Sequence, residues 1–210
     1  MIAIIDYGVG NLYSLSSSLQ YLGIDTKITN VAEDLIAADK IILPGVGAFA
    51  DAAQKLRNTG LIDTIVSEVK KGKPLLGICL GMQLLFDKSY EYGEHQGLGL
   101  IKGVVAPLEN DLPEREQDGK KGKLKVPHIG WNSLDLKEDE PLFKYIKNGD
   151  YVYYVHSFYA KECQQNIIAS SNYDISVTGA VRNGNIYGTQ FHPEKSGDVG
   201  LNILKAFAEL

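Results

Sequence analysis

Four short strand-like runs stand in the first 86 residues, and three of them give way to segments with helical spacing. The runs are Met1–Asp6, Asp25–Thr29, Lys40–Leu43 and Pro74–Ile78. Asn11–Leu22 sets Leu12, Leu15, Leu19 and Leu22 on one helical face. Phe49–Arg57 and Leu61–Lys71 read as helices divided by Gly60, and Leu80–Phe86 as a helix after the fourth run. Strands that alternate with helices need crossover connections, which place a mostly parallel sheet under helices on both faces. The fold class that follows is α/β.

The second half changes rhythm. Leu100–Pro107, Tyr151–Phe158 and Asn166–Ser171 read as strands. Val177–Arg182 and Ile186–Phe191 read as an additional antiparallel hairpin turning at Asn183-Gly184. A last helix, Gly197–Leu210, follows Ser196 as its N-cap. Glu109–Lys125 is charged and interrupted by Pro113, Gly119 and Gly122, and reads as a mobile surface loop. No internal repeat divides the chain, so residues 1–210 are expected to form a single domain.

The charge balance narrows the classes of partner. Twenty-one basic against 26 acidic residues leave a net charge of −5. A nucleic-acid binder concentrates basic residues on one face. The only such run, Lys120–Lys125, sits beside acidic residues. Two cysteines are too few for a disulfide framework, and MIAIID lacks the charged and long apolar regions of a secretory leader. No apolar run approaches the roughly 20 residues that span a bilayer. A reduced, cytoplasmic enzyme or binding domain is expected.

One of the two cysteines stands at a corner. In Gly77-Ile78-Cys79-Leu80-Gly81, Cys79 ends the fourth strand and begins a helix. This spacing copies the nucleophile elbow G-x-S-x-G with sulfur in place of oxygen, and glycine neighbours relieve a strained turn. A helix N-terminus favours thiolate and leaves the Leu80 N–H able to meet a developing oxyanion. The plainer alternative is a buried structural cysteine acting as a small hydrophobe. Cys163, in the polar stretch KECQQN, has no comparable setting.

A thiol nucleophile needs a base, and the base an orienting group. His95, His128, His156 and His192 are the available histidines. His192 follows a strand in QFHPEKS, where Pro193 favours extended backbone. Alternation then sets His192 and Glu194 on one side, giving a triad in the order Cys79, His192, Glu194. A metal site is the competing reading of His-Pro-Glu, but no ligand cluster of recognisable spacing accompanies it. No metal and no cofactor is expected. Pro44-Gly45-Val46-Gly47, after the third strand, is a second source of oxyanion donors, or else an ordinary glycine turn. It lacks the Lys-Ser/Thr of a phosphate loop, and Gly8-Val9-Gly10 lacks the third glycine of a dinucleotide loop.

Together these segments resemble the class I (triad) glutamine amidotransferases. DYGVGNLYS, LPGVGAF, GICLGMQLLF, GLGLIKG, VPHIGWN, YYVHSFY and GTQFHPEKSG occur in order across nearly the whole chain. Within that class the series is most similar to the glutaminase subunits of imidazole glycerol phosphate synthases, which serve histidine biosynthesis. The resemblance implies that Cys79 attacks the side-chain amide of L-glutamine with His192 as base and Glu194 behind it. It implies oxyanion donors at Gly47 and Leu80, the former after a peptide flip in Pro44–Gly47, and substrate contacts at Gln83, Glu91, Ser157 and Phe158. It further implies a heterodimer with a (β/α)8 cyclase subunit that receives ammonia through a channel, contacted by Asn11, Trp131 and Lys195. His128 and His156 are expected to be structural or interfacial. Glu109–Lys125 is longer than the family pattern before PHIGWN, which bears on the interface and not on the triad.

Three readings follow. The first is a glutaminase subunit of a two-protein synthase. The second is another class I amidotransferase, or a γ-glutamyl hydrolase, with the same triad. The third is a catalytically silent protein on the same fold, against which an intact Cys, His and Glu argue.

Overall fold

The computed structural model describes residues 1–117 and 120–210. Asp118 and Gly119, inside the expected loop Glu109–Lys125, lie outside the described residues. The first half contains β1 (Ile2–Ile5), α1 (Leu12–Tyr21), β2 (Thr26–Thr29), α2 (Ala32–Ala37), β3 (Lys40–Leu43), α3 (Phe49–Asn58), α4 (Ile62–Lys70), β4 (Leu75–Ile78) and α5 (Leu80–Leu84). There follow β5 (Phe86–Ser89), β6 (His95–Gln96), β7 (Ile101–Pro107), β8 (Arg115–Gln117), β9 (Lys120–Gly122), β10 (His128–Ser133) and β11 (Asp135–Leu136). The chain closes with β12 (Tyr151–His156), β13 (Phe158–Lys161), β14 (Ile167–Asn172), β15 (Ser176–Asn183), β16 (Ile186–Thr189) and α6 (Gly197–Ala208).

Eight strands form the main sheet in the order β11-β14-β15-β16-β4-β3-β1-β2. From β16 to β2 every pairing is parallel, and β11, β14 and β15 extend that edge antiparallel. Period-two alternation explains how these short strands serve two cores. Ala3, Ile5, Ile41, Leu43 and Leu75 face α2, α3 and α4, whose Leu35, Leu56 and Ile65 are buried against them. Ile2, Ile4, Ile42, Leu76 and Ile78 face Leu15 and Leu19 of α1 and Ile203, Leu204 and Phe207 of α6. The expected α/β architecture with helices on both faces is therefore present.

Several boundaries differ for local reasons. The helix expected over Leu80–Phe86 stops at Leu84. The carbonyls of Leu84, Leu85 and Phe86 accept from Leu98, Leu100 and Gly99 instead, so Phe86 begins a strand. The run Tyr151–Phe158 is two strands, because the chain changes sheets at Ser157. β12 pairs with β10, β13 pairs with β7, and the Ser157 carbonyl accepts from Leu108. The hairpin turns at Gly184-Asn185, one residue later than expected, with Gly184 at φ +61° and Asn183 opposite Ile186. α2 escapes a periodicity reading because it is six residues long and buries only Leu35. The expected loop Glu109–Lys125 contains a short antiparallel pair, Arg115–Gln117 with Lys120–Gly122.

Three backbone segments touch where α5 begins. A Cβ on Gly81 would collide with the Leu43 carbonyl, and one on Gly77 would lie 2.7 Å from the Gly81 carbonyl oxygen. The glycines around Cys79 thus permit close approach of strand, turn and helix. Gly81→Ala is expected to destabilise the protein by about 1–3 kcal/mol, the usual cost of overpacking. Urea unfolding measures it, and an unchanged midpoint would refute the account.

Candidate active site

The neighbouring parallel strands β3, β4 and β16 end at one sheet edge. Leu43 lies opposite Gly77, and Ile78 opposite Thr189. The Cys79 N–H donates to the Thr189 carbonyl at 2.7 Å, so Cys79 extends the ladder by one rung. Its backbone then turns at φ +54° and ψ −110°, rare for a residue with a side chain. The turn delivers the sulfur to the strand tips, where open α/β sheets bind ligands. Cys79 is 7% exposed.

His192 leaves the tip of β16 in extended conformation, at φ −99° and ψ 99°. Strand alternation is not what pairs it with Glu194. Pro193–Lys195 form one 3-10 turn, which folds the carboxylate back beneath the ring. Glu194 Oε1 lies 2.8 Å from His192 Nδ1, both side chains almost wholly buried. Glu194 Oε2 and His192 Nε2 have no hydrogen-bond partner among the described residues. Burial works to lower the His192 pKa, but the adjoining Cys79 sulfur and the hydrogen-bonded Glu194 carboxylate outweigh it and push the value up to about 10. A ring so disposed stays protonated beside the sulfur at neutral pH.

Ser196 does not cap α6 with its side chain. Its hydroxyl donates to the His192 carbonyl at 2.7 Å and accepts from the Tyr153 N–H at 3.0 Å. The His192 N–H donates to the Tyr153 carbonyl at 3.0 Å. His192 is thereby clamped to β12, a role for Ser196 that a helix-capping pattern conceals.

Cys79 and His192 open on a cavity of about 300 Å³, at the lower end for small-molecule sites. Gly47, Leu80, Gln83, Glu91, Ser157 and Phe158 all border it, as do Tyr92, Val46, Pro127, Val155 and His156, which the sequence did not single out for it. Both amide hydrogens of Gln83 are spent on protein: Nε2 donates to the Phe158 carbonyl at 3.1 Å and to Gln190 Oε1 at 3.0 Å. Gln190 in turn donates to the Cys79 sulfur at 3.7 Å. Gln190 is missed in sequence because it lies just past the end of β16, beside the FHPE motif, and carries no chemistry alone. Glu91 Oε2 accepts the Phe49 N–H at 2.6 Å and so caps α3 from afar. The Leu80 N–H is not free in this conformation, since it donates to the Gly45 carbonyl at 3.3 Å.

Asn11 stands immediately before α1 and borders a one-water crevice with Glu194 and His192. Trp131, on β10, is 56% exposed, and Lys195 is exposed in the turn after His192. His95 pairs in β6 and does not line the cavity. Cys163 is wholly buried in the core, where burial pushes its thiol up to about 11.

Comparison with known proteins settles the family. The class-I glutamine amidotransferase model, "Glutamine amidotransferase class-I", matches residues 3–209. The chain belongs to this family. It is 49% identical to "Imidazole glycerol phosphate synthase subunit HisH" of Caldanaerobacter subterraneus subsp. tengcongensis, covering 100% of this chain and 98% of that one. The subunit of the same name from Listeria monocytogenes is also 49% identical, over 100% of this chain and 96% of its own length. A solved glutamine amidotransferase superposes at a TM-score of 0.73 with 20% identity, covering 100% of both chains, a likeness of fold. Among the described residues no helix is long and apolar enough to cross a membrane.

For this amidotransferase the His192 charge sets a pH dependence. A folded-state pKa above the unfolded one contributes stability below the unfolded value and loses it as pH rises through the folded value. The gain from His192 is therefore complete below about 6.5 and fades toward about pH 10. Histidine-ring NMR is expected to show an imidazolium through neutral pH, and Glu194→Gln to bring its titration down. A neutral ring at neutral pH in the unaltered protein would contradict this.

Proposed function

We propose that this chain is the glutaminase subunit of an imidazole glycerol phosphate synthase, folded as one glutamine amidotransferase domain over residues 1–210. It hydrolyses L-glutamine to glutamate and ammonia. The observation that carries the catalytic assignment is the imidazole of His192, backed by Glu194 at 2.8 Å and set beside Cys79 at a ligand-sized cavity. The raised His192 value supports a resting imidazolium beside the Cys79 sulfur.

In this reading the Cys79 thiolate adds to the amide carbon of the glutamine side chain, and the carbonyl electron pair moves onto oxygen. His192 Nε2–H protonates the departing nitrogen, the C–N bond breaks, and ammonia leaves a glutamyl thioester. Water then adds while His192 accepts its proton. The C–S bond breaks, the thiolate returns, and the new carboxyl loses its remaining proton to solvent. Gln83 Oε1 and the remaining Glu91 oxygen are the acceptors offered to the amino acid's ammonium, with Ser157 and Phe158 along the cavity wall.

The oxyanion requires the N–H groups of Leu80 and Gly47. A 3.3 Å bond is long for an N–H···O contact, so the Gly45 carbonyl holds Leu80 weakly. Rotation of Pro44–Gly47 would release that donor, and each donor is worth about 10²–10³ in rate. Such a rotation suits activation by a partner. The partner surface proposed is the face bearing Asn11, Trp131 and Lys195. It docks a (β/α)8 cyclase, which takes ammonia through a channel before it meets water. The exposure of Ile129, Trp131 and Tyr151, at 58%, 56% and 57%, supports that face.

In the assembled pair, Cys79→Ala is expected to lower glutamate release by roughly 10⁴-fold or more while docking persists. An enzymatic glutamate assay beside calorimetric titration measures both, and retained turnover would remove the mechanism. Trp131→Ala is expected to weaken docking by about 2 kcal/mol, near 30-fold, as loss of an aromatic anchor does. Undiminished affinity would move the interface elsewhere.

A further inference from the structure

His128 and His156 take no part in the chemistry above, yet they are links of a continuous hydrogen-bonded chain that runs from Asn132 to the catalytic sulfur. They lie opposite one another across the β10–β12 ribbon. Asn132 Nδ2 lies 3.3 Å from His128 Nε2, and His128 Nδ1 lies 3.0 Å from His156 Nε2. His156 Nδ1 lies 3.0 Å from the Phe158 carbonyl oxygen. That oxygen also accepts from Gln83, which donates to Gln190, which donates to Cys79 Sγ.

Every direction in the chain is forced. A carbonyl can only accept, so His156 Nδ1 donates to Phe158. In a neutral ring His156 Nε2 must then accept, His128 Nδ1 must donate, and His128 Nε2 must accept. The donor it meets is Asn132 Nδ2, whose own orientation is fixed twice. Asn132 Oδ1 accepts the Ser133 N–H at 2.9 Å, and Nδ2 donates to the Asn172 carbonyl at 2.9 Å. Protonation of either histidine would set two N–H groups against each other.

The surroundings keep both rings neutral and still. Burial lowers His128 to about 4. Burial, followed by the His128 charge, lowers His156 to about 3, against a smaller opposing pull from the Phe158 carbonyl. His128 is stacked between Tyr154 and Tyr173, with ring centroids 4.7 Å and 4.1 Å away. The strand that carries His128 also carries the exposed Ile129 and Trp131.

We propose that His128 and His156 are positioning residues: a neutral relay, both rings in the Nδ1–H tautomer, that ties the orientation of the β10 surface strand to the carboxamides of Gln83 and Gln190 and so to the Cys79 sulfur. The proposal rests on the glutaminase reading of Cys79 and not on which partner docks. Its tautomers are a stated departure from solution behaviour, where Nε2–H predominates.

The test has two arms on the full-length chain. Two-bond proton–nitrogen NMR of the ring nitrogens is expected to show His128 and His156 both neutral and protonated on Nδ1. An Nε2–H tautomer or an imidazolium in either ring overturns the relay. Kinetics with the assembled partner form the second arm. His128→Phe keeps the stacking and removes both bonds, and is expected to lower kcat/KM for glutamine by about 3- to 30-fold. His128→Asn restores a donor near the place of Nδ1 and is expected to recover most of that loss at the same melting temperature. Unchanged kcat/KM in His128→Phe, or no recovery in His128→Asn, overturns the proposal. Should His128→Phe fail to fold, Asn132→Ala removes the outermost donor and is expected to lower kcat/KM by at least about 3-fold, with no change overturning it. Glutamate release by the unaltered pair is measured first. Its absence removes the glutaminase reading, whereas turnover with the wrong tautomers removes the relay alone.

Discussion

The hydrogen bond from the Cys79 N–H to the Thr189 carbonyl, 2.7 Å long, is the last rung between β4 and β16. It fixes how far each strand runs before the chain may turn. Cys79 turns at once, into positive φ, and His192 follows three residues after Thr189. Backbone held in such a region costs about 1–3 kcal/mol and persists only where neighbouring structure leaves no alternative. Here the neighbouring structure is the Leu43 carbonyl against Gly81 and the Gly81 carbonyl against Gly77. Slip either strand by one residue and the sulfur points into a core face.

The same residue type is driven in opposite directions around one site. All three histidines of the region are buried. His192 is charged because a carboxylate and the sulfur adjoin it. His128 and His156 are neutral because burial lowers both and no carboxylate or sulfur adjoins them to oppose it. Burial opposes charge on all three, so partner chemistry alone sorts them. That sorting keeps the one positive ring where an anion is made.

The alternation of strands and helices up to Gly81 was legible because buried parallel strands and amphipathic helices carry different periods. Leu15 and Leu19 on α1, or Ala52 and Leu56 on α3, mark a face whatever the tertiary context. Helix ends were less legible. Leu84 ends α5 because segment 98–101 claims the carbonyls, a long-range competition that no local pattern records. Cys79, His192 and Glu194 could be nominated because each sits at a strand tip or beside a proline. What joins histidine to carboxylate is a 3-10 turn and not strand alternation. Gln190 and the Ser196 clamp were illegible, since an amide just past a strand end and a serine before a helix have commoner uses. The expected freedom of the Leu80 N–H failed because the loop meant to supply the second donor also carries the Gly45 carbonyl.

The β10–β12 ribbon is a two-stranded sheet apart from the main one, and it holds the site at two points. The Tyr153 carbonyl accepts from the His192 N–H, while the His156 ring reaches the Phe158 carbonyl and, beyond it, Gln83. One attachment governs the base, the other the wall around the nucleophile. A two-stranded ribbon is marginal by itself and relies on such attachments for its place. Displacement of the ribbon along its strands must therefore lengthen one set of bonds or carry both catalytic groups with it. The exposed rings of Trp131 and Tyr151 lie on this ribbon, so that face is joined to Cys79 and His192 by these polar bonds as well as by the packing of Tyr154 on Phe191 in the close-packed core.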